Sequence, residues 1–513
     1  ESPTFHSETM AVYPGDKNHL PYDVVVERLH IEEPEPPAPV TEPEKTFEEV
    51  LDEHPVSIQV NGQWQTFPNA KAAEEASYEE YKANLRRNAK NFRITDEHLG
   101  EGGPKAKFQA NINAIRLLKE LEAAGQQASP EQQEVLSRYV GWGGLSDAFD
   151  PEKPAWALEY AQLKELLTTE EYAAARGSTL NAHYTSPTVI QAIYEAVDRM
   201  GFETGNILEP SMGVGNFFGM LPEKMRNSHL YGVELDPVSG RIAKQLYPKA
   251  DITVGGFETT DRRDFFDLAI GNVPFGQYQV NDKAYNKLNF NIHNYFFAKA
   301  LDQVRPGGVV AFVTSRYTMD AKDSTVRRYL AQRAELLGAI RLPNDAFKKN
   351  AGAEVVSDII FLQKRDRPLD IAPEWTQTGQ TEDGFAINRY FIDHPEMVLG
   401  RQEPVSTAHG MDYTVNPIEE LELSDQLHDA VKYIHGTYQE AELPELGEGE
   451  AIDTSIPADP NVKNYSYAIV DGQVYYRENS RMVRPDLNTT AEARVKGLVG
   501  LRDCVQELID LQM

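Results

Sequence analysis

Short apolar, β-prone runs alternate with segments of helical periodicity from about residue 206 to residue 362. Apolar runs of four to eight residues are typical of strands buried on both faces. Strands that alternate with helices favour a parallel sheet with right-handed crossovers. We therefore predict an α/β fold with a Rossmann-like, mostly parallel sheet of seven strands. The predicted strands span residues 206–209, 230–233, 251–254, 266–270, 308–313, 336–341 and 356–362.

The first predicted strand runs into a turn that contains Gly213 and Gly215. Glycines at such a turn let the backbone approach a ligand where a helix begins. Phe218 occupies the place of the third glycine of a dinucleotide fingerprint. Glu234 ends the next strand about 20 residues further on, which is the spacing of an acid that holds ribose hydroxyls. This pattern predicts a cofactor pocket, although a strand-end glutamate can also be merely exposed.

The fourth predicted strand breaks abruptly into Gly271-Asn272-Val273-Pro274-Phe275-Gly276. An exposed amide, a stiff proline turn and an aromatic ring can together grip a planar group that carries an amine. The structural alternative is a strand end at which Asn272 caps a turn and Phe275 fills the core.

These two stretches resemble the motifs of class I S-adenosylmethionine-dependent methyltransferases. The Asn-x-Pro-Phe stretch is similar to the Asn-Pro-Pro-Tyr/Phe signature of enzymes that methylate exocyclic amines, chiefly N6 of adenine in DNA. Val273 stands where the first proline usually is. The glycine turn resembles motif I of the same family, with Glu209-Pro210 in place of the commoner Asp-Pro. The resemblance implies that S-adenosylmethionine is bound by Glu209, Pro210, Gly213, Gly215 and Asn216.

The resemblance also implies roles for four further cofactor-binding positions. Glu234 would bind the ribose diol, while Leu235 and Phe257 would cover the adenine ring. Thr185, next to Tyr184, would hold the methionine carboxylate with neighbouring amides. Family members usually carry an acid just before the second adenine cover, and Gly256 stands there in this chain. Glu258 or backbone groups are the possible substitutes.

The implied chemistry is centred on Asn272. Its side-chain oxygen and the main-chain carbonyl of Val273 would accept the two hydrogens of the target amine. Such acceptors stabilise the positive charge that develops on the nitrogen. Pro274 stiffens the turn, and Phe275 would stack on the target base. Val273 keeps its carbonyl but loosens the backbone relative to proline.

The motifs span residues 183–365, in the order of the gamma group of adenine-N6 DNA methyltransferases. The stretches 92–105, 139–144 and 476–480 resemble large methylase–helicase proteins of bacterial conjugative elements and phages. This resemblance implies a helicase region in the parent protein and a role in modifying mobile DNA. His293, which begins the helix after the Asn272 motif, is a weaker candidate for catalysis.

Two alternatives to an active DNA methyltransferase stay open. Gly256, Val273 and the acidic balance of the chain are compatible with a catalytically silent methyltransferase fold that serves as a DNA-binding or scaffold module. The same chemistry could also act on RNA or on a protein glutamine. Cofactor binding separates the silent module from an enzyme, and substrate competition separates the substrates.

Composition bounds the partners and the compartment. The net charge of −30 over 513 residues argues against indiscriminate nucleic-acid binding. The stretch from Lys322 to Arg367 is nevertheless basic, and it predicts either a local DNA-contacting rim beside Asn272 or a solvated face. A single cysteine, Cys504, excludes an internal disulfide and a cysteine-based zinc site. We expect a cytoplasmic protein without a membrane span or a metal.

The predicted domain organisation has four parts. Residues 1–45 are an extended, acidic and proline-rich tail or linker, and residues 46–180 are a mainly helical accessory region that begins with a hairpin. Residues 181–367 form the methyltransferase domain. Residues 368–513 form a small α+β region with an irregular acidic segment, a hairpin and a final helix. The glycine-flanked Trp142 predicts either a lid or DNA-contacting loop, or a tight turn packed into an interface.

Overall fold

The computed structural model describes most of the chain after residue 55, together with three short strands before it. The described ranges are 4–6, 10–12, 20–21, 55–60, 63–74, 76–77, 90–96, 99–179, 185–347, 355–407, 410–440, 455–459, 462–463, 465–478, 481–485, 487 and 489–511. Most of the predicted tail, Tyr184, Lys348 and Lys349 therefore lie outside the described residues.

The amino-terminal part begins with two small antiparallel sheets. Strands β1 (Thr4–His6), β2 (Met10–Val12) and β3 (Leu20–Pro21) form the first sheet. Strands β4 (Val56–Val60) and β5 (Gln63–Phe67) pair as a hairpin in which Val60 faces Gln63. The two-residue connection confirms the hairpin that the Asn-Gly pair predicts.

Seven strands form the central sheet. They are β6 (Asn206–Glu209), β7 (His229–Glu234), β8 (Asp251–Val254), β9 (Phe266–Asn272), β10 (Val304–Ser315), β11 (Ala334–Arg341) and β12 (Ser357–Lys364). Their order across the sheet is β11-β12-β10-β9-β6-β7-β8. All neighbours pair in parallel except β12, which runs antiparallel to β10 and β11. The seven-stranded, mostly parallel sheet confirms the predicted fold class.

Helices connect and cover these strands. Local chemistry starts the helix after β7, where the Asp236 carboxylate accepts a 2.8 Å hydrogen bond from the Ser239 amide and Pro237 occupies the first turn. Among the described residues, no helix combines the length and apolarity needed to cross a bilayer. The helices of this part are Pro187–Arg199, Asn216–Gly219, Pro237–Leu246, Ile292–Gln303, Tyr317–Asp320 and Thr325–Arg333.

A buried ion pair stabilises the amino-terminal end of β9. The Arg305 guanidinium donates a 2.6 Å hydrogen bond to the Asp267 carboxylate, whose second oxygen accepts from the Asn206 amide at 2.7 Å. The Tyr438 hydroxyl donates to Asp267 at 2.9 Å. This network joins β6, β9 and β10 at one end, so that their carboxyl ends meet at the other, where ligands bind in open α/β sheets.

The helical segment before the sheet shares its hydrophobic core. One continuous cluster of buried side chains runs from Phe108 through the sheet to Ile434. Trp142 is 1% exposed and packs edge-on against Phe108, Tyr139 and Phe149, so the Trp142 turn is packed, as the second of the two alternatives predicts. The domain boundaries at residues 180 and 367 stay predictions. The helices of this segment are Pro104–Ala124, Pro130–Ser137, Ala157–Leu166 and Thr169–Ser178.

The region after the sheet has more regular structure than the sequence predicts. Strands β15 (Arg401–Thr407) and β16 (Gly410–Asn416), each of seven residues, form an antiparallel hairpin within the segment expected to be irregular. Polar residues and Pro404 hide this strand, because proline is rare in strands that are paired on both sides. The other elements are β13 (Thr378–Gln380), β14 (Ala386–Asn388), and the helices Arg389–Asp393 and Leu423–Val431.

A small four-stranded sheet and a long helix complete the fold. Strands β18 (Tyr467–Val470) and β19 (Gln473–Glu478) form the predicted hairpin, and Asp471 and Gly472 both have positive φ at its turn. The Arg477 guanidinium, which is buried, donates a 3.0 Å hydrogen bond to the Arg263 carbonyl and so joins this sheet to the loop before β9. The remaining elements are β17 (Ile456–Pro457), β20 (Arg481–Val483) and the helix Thr489–Leu511.

Candidate cofactor and substrate site

A cavity of about 510 Å³ lies at the carboxyl ends of β6, β7, β8 and β9. Its volume is in the range of sites that bind drug-sized ligands. The cavity brings together most of the predicted site residues, whereas Gly215 and Phe275 do not line it. The predicted residues that line it are Thr185, Glu209, Pro210, Gly213, Asn216, Glu234, Leu235, Phe257, Asn272, Val273 and Pro274.

The glycine turn after β6 has the backbone conformation that its sequence predicts. Gly213 and Gly215 have φ values of 56° and 86°, which side chains other than glycine rarely adopt. A Cβ atom on Gly215 would also lie 2.5 Å from the Tyr247 ring. Gly215 is therefore required for the shape of the turn rather than for lining the cavity.

Glu234 is held beside this turn by two backbone amides. The Gly213 amide donates to one carboxylate oxygen and the Asp236 amide to the other, both at 2.7 Å. Burial and the neighbouring Asp236 carboxylate raise the pKa of Glu234 to about 7. Leu235 follows, lines the cavity and has 73% of its surface exposed.

Glu209 lies deeper in the same cavity. Its side chain is 2% exposed, and its Oε2 atom has no hydrogen-bond partner among the described residues. Burial and the nearby Glu234 raise its pKa well above the ordinary value. A buried acceptor without a partner is costly, and a ligand with hydrogen-bond donors or a positive charge would satisfy it.

The loop after β8 contributes an aromatic floor and a displaced carboxylate. Phe257 is 3% exposed, lines the cavity and packs on Phe296 with ring centroids 5.0 Å apart. A Cβ atom on Gly256 would lie only 2.0 Å from a carboxylate oxygen of Glu258. The Glu258 carboxylate therefore occupies the space beside Gly256 into which an acidic side chain at that position would extend.

The Asn272 motif forms the cavity wall next to the glycine turn. Asn272 ends β9, and its main-chain carbonyl accepts a 2.8 Å hydrogen bond from the Ser211 hydroxyl. Val273 is 1% exposed, and its amide donates to the Val313 carbonyl at 3.1 Å. Packing in the core and this bond to β10 fix the backbone at the position where proline is usual.

The loop after this motif contains site residues that the sequence analysis missed. Tyr278 is 47% exposed at the cavity and packs over Gly276, and Val280 and Ile292 also line the cavity. An aromatic residue three positions after Phe275 was the available signal. The helical segment contributes a further group of lining residues, namely Tyr139, Gly141, Ala174, Gly177 and Ser178.

A buried cluster joins the Asn272 loop to the Phe257 loop. Lys299 is 3% exposed and donates to the Asp282 carboxylate at 2.8 Å and to the Glu258 carbonyl at 3.2 Å. The Tyr295 hydroxyl donates to the same Asp282 oxygen at 2.9 Å. Lys299 thus connects the loop after the Asn272 motif with the loop that carries the aromatic floor.

His293 is buried behind the Asn272 motif. Desolvation lowers its pKa to about 4, and a hydrogen bond with the Gly276 backbone opposes this shift only in part. The ring is therefore neutral at physiological pH. Its place supports a structural role at the end of the loop rather than proton transfer.

The predicted basic rim is not a continuous surface. Arg327 and Arg341 are 1% and 0% exposed, and Arg341 pairs with the buried Asp358 at 2.8 Å. Lys364 ends the antiparallel strand β12, so it lies near the amino-terminal ends of the parallel strands, whereas Asn272 lies at their carboxyl ends. The prediction of a rim beside Asn272 is wrong for these three residues, because sequence charge reveals neither burial nor strand direction.

The fold and the cavity define a class. A Rossmann-like sheet of seven strands carries a glycine turn, an acid after the second strand and an Asn-x-Pro-Phe turn on one cavity, and these features are those of a methyltransferase domain. Residues 249–347 match the model of the family described as Eco57I restriction-modification methylase. This segment of the chain is therefore similar to Eco57I-type restriction-modification methylases, and the cofactor of the domain is S-adenosylmethionine.

Similarity to known proteins covers more of the chain than residues 249–347. The chain is 28% identical over 280 residues to the Defense against restriction protein B of Escherichia phage P1, covering 53% of this chain and 11% of that protein. It is 43% identical over 74 residues to the Type II methyltransferase M.CvrRI of Paramecium bursaria Chlorella virus XZ-6E, covering 14% of this chain and 19% of that one. The chain thus spans only a small part of these relatives.

A solved structure with a similar chain is the type I restriction-modification methyltransferase subunit from Streptococcus thermophilus. It is 14% identical to this chain and covers 55% of it, with 83% of the subunit matched and a TM-score of 0.32.

Proposed function

We propose that the domain transfers a methyl group from S-adenosylmethionine to the N6 amino group of adenine in DNA. The observation that carries this proposal is that Asn272 lines the same cavity as the two acids Glu209 and Glu234. The proposed site for the methyl donor therefore adjoins the proposed site for the amine that accepts the methyl group. The family description and a type II methyltransferase among the relatives support DNA as the substrate.

The residues of the cavity suit the cofactor. Glu234 would accept hydrogen bonds from the ribose hydroxyls, and the orphaned Glu209 oxygen would face the positively charged end. Leu235 and Phe257 would enclose the adenine ring. The Glu258 carboxylate, lying against Gly256, is the candidate acceptor for the adenine amino group of the cofactor, and Thr185 would contribute at the methionine carboxylate.

S-adenosylmethionine supplies a methyl group bound to a positively charged sulfur. The adenine amino nitrogen is a weak nucleophile, because its lone pair is delocalised into the ring. Two acceptors, the Asn272 side-chain oxygen and the Val273 carbonyl, would hold its hydrogens and favour a pyramidal nitrogen. The nitrogen lone pair would form the new bond to the methyl carbon, the sulfur would keep the electron pair of the broken carbon–sulfur bond, and the strongly acidic proton of the methylated nitrogen would pass to water. Removing one preorganised donor from an oxyanion hole costs on the order of 10²–10³ in kcat, and we expect a contribution of similar size from a preorganised acceptor here.

The target base must leave the helix or come from a single strand to reach Asn272. Unstacking a base costs a few kcal/mol, and stacking on an aromatic side chain returns about 1–3 kcal/mol. The exposed Tyr278 is the candidate stacking ring, whereas Phe275, which does not line the cavity and packs against the hydrophobic core, has this role only as an expectation from the resemblance. A helicase region acting with this domain remains a prediction from the resemblance alone.

The two departures from the family pattern are accommodated in the fold. The Val273 backbone is fixed by its bond to Val313, and Glu258 supplies a carboxylate beside Gly256. These observations favour an active enzyme over a catalytically silent module.

The substrate is tested in four separate reactions, each with the protein and S-adenosylmethionine labelled in the methyl group. The substrates are duplex DNA, single-stranded DNA, RNA and protein. Digestion to nucleosides and mass spectrometry then identify the product. We expect N6-methyladenine from DNA. Label in RNA or in glutamine would replace the substrate assignment, and cofactor binding without any transfer would favour the silent module.

A further inference from the structure

Five residues that line the cavity come from the helical segment 104–178, before the central sheet. We propose that this segment is part of the cofactor-binding machinery, in which it forms a wall of the S-adenosylmethionine cavity, and that Glu171 is the residue that positions the wall. The inference rests on the proposed function only for the identity of the ligand.

Three of the lining residues share one helix face. Ala174, Gly177 and Ser178 stand at positions i, i+3 and i+4 of the helix Thr169–Ser178, a spacing that places them on one side. The same helix therefore presents a small-residue surface to the cavity, and Thr185 follows it closely in the chain.

A buried carboxylate fastens this helix to the methyltransferase core. Glu171 is 6% exposed, accepts a 2.8 Å hydrogen bond from Lys119 and is paired with Arg241. Burial alone would raise its pKa, but hydrogen bonds from Lys119, Thr168 and Arg241 hold the pKa of Glu171 below the ordinary value. The carboxylate is thus charged and bound to two cations.

We call the contact of Glu171 with Lys119 and Arg241 the Glu171 clasp. The position of Arg241 relates this clasp to the cofactor site. Arg241 lies on the helix Pro237–Leu246, which begins directly after Glu234, Leu235 and Asp236. Its other terminal nitrogen donates to Glu122 at 3.0 Å. Glu171 therefore links the wall helix to the helix that directly follows the predicted ribose acid and adenine cover.

The second part of the wall is fixed separately. Asn111 is fully buried; its side-chain nitrogen donates to the Gly141 carbonyl at 2.5 Å and its oxygen accepts from the Val140 amide at 2.9 Å. This pair of bonds holds the turn that brings Tyr139 and Gly141 to the cavity.

Gly177 offers a direct test, because a Cβ atom there would meet no heavy atom of the described residues within 4 Å. A side chain at this position therefore begins in open space, at a residue that lines the cavity. We expect Gly177→Leu to raise the Kd for S-adenosylmethionine at least tenfold, while the melting temperature of the protein without ligand stays within a few degrees of the wild type. Gly177→Ala should change the Kd less than threefold.

Gly500→Leu is the matched control, since Gly500 also lies in a helix and also has open space at Cβ. An unchanged Kd for S-adenosylmethionine in Gly177→Leu, or an equal change in Gly500→Leu, would contradict the proposal that this helix lines the cofactor cavity.

Glu171→Gln tests the clasp, with the exposed Glu170→Gln on the same helix as its control. We expect Glu171→Gln to raise the KM for S-adenosylmethionine about five- to tenfold and to leave the KM for DNA unchanged. Equal increases in both KM values, or none, would overturn the positioning role. Kd is measured by calorimetry without DNA, so it does not depend on transferase activity. If the protein transfers no methyl group but its Kd for S-adenosylmethionine still responds to Gly177→Leu, the proposed function is contradicted and the proposal that the helical segment lines the cofactor cavity stands.

Discussion

The Ser211 hydroxyl donates a 2.8 Å hydrogen bond to the main-chain carbonyl of Asn272. Ser211 belongs to the turn after β6, and Asn272 ends β9, so the bond joins the cofactor turn to the proposed catalytic motif. The chain separation of 61 residues is closed by the parallel pairing of β6 with β9. The arrangement sets the distance between donor and acceptor sites.

Removing this hydroxyl should slow methyl transfer more than it weakens binding. A hydrogen bond of this kind contributes about 1 kcal/mol, so we expect Ser211→Ala to lower kcat about five- to tenfold with a smaller change in the Kd for S-adenosylmethionine. Ser466→Ala is the control, because Ser466 also donates to a main-chain carbonyl, that of Lys463, in the small sheet. A wild-type kcat in Ser211→Ala would show that the bond does not position Asn272.

Cofactor affinity should depend on pH through Glu234. Burial raises the pKa of Glu234 from 4.5 to about 7, so the folded protein binds this proton more tightly than the unfolded chain does. The contribution of Glu234 to stability therefore falls as pH rises from about 4.5 to about 7. Ribose hydroxyls need the charged carboxylate as acceptor, so affinity for S-adenosylmethionine should rise with pH, by up to about tenfold per unit below pH 7.

Calorimetry between pH 5.5 and pH 8 measures this dependence. Glu234→Gln should bind weakly with a flatter profile, and any slope that remains reports Glu209, whose pKa is also raised. Wild-type affinity that is constant over this range would exclude a titrating acid at the ribose.

Lys299→Met should destabilise the protein. The change leaves Asp282, whose side chain is 10% exposed, without its cation, and breaking a buried pair costs about 3–5 kcal/mol. We expect urea denaturation to show this loss, and Lys299→Met/Asp282→Asn to recover part of it. The exposed Lys283→Met serves as the control. A loss below about 1 kcal/mol in Lys299→Met would mean that the pair does not hold the two loops.

Tyr278 should contribute to substrate binding through its ring. Stacking contributes about 1–3 kcal/mol per base, so Tyr278→Ala should raise the KM for DNA about five- to a hundredfold, whereas Tyr278→Phe should remain near wild type. Tyr433 has a similar exposed fraction, 51%, and Tyr433→Ala is the control. Steady-state kinetics with varied DNA measure the effect, and an equal loss in Tyr278→Phe would point to the hydroxyl instead.

Much of the central fold could be predicted because its strands are short, apolar and separated by turn residues. The seven strands were predicted within a few residues, and the two positive-φ glycines at 213 and 215 follow from the motif. Local patterns also predicted the β4–β5 and β18–β19 hairpins, but not the β15–β16 hairpin. These features depend on residues close together in the chain, so one sequence contains the information.

The missed features depend on packing between distant segments. No local pattern shows that Ala174 and Gly177 line the same cavity as Glu234, because the Glu171 clasp joins parts 70 residues apart. The burial of Arg341 depends on Asp358 from the neighbouring strand, and the carboxylate of Glu258 covers Gly256 only through its side-chain conformation. Charge and spacing alone could not reveal these contacts.

The most direct test of the central claim compares Asn272→Ala with Asn113→Ala, an exposed asparagine on the helix Pro104–Ala124. Methyl transfer to adenine in DNA and calorimetric binding of S-adenosylmethionine are measured on both. We predict that Asn272→Ala lowers kcat by at least about 10²-fold with the cofactor Kd within threefold of wild type, and that Asn113→Ala matches the wild type. Transfer at the wild-type rate by Asn272→Ala would contradict the account.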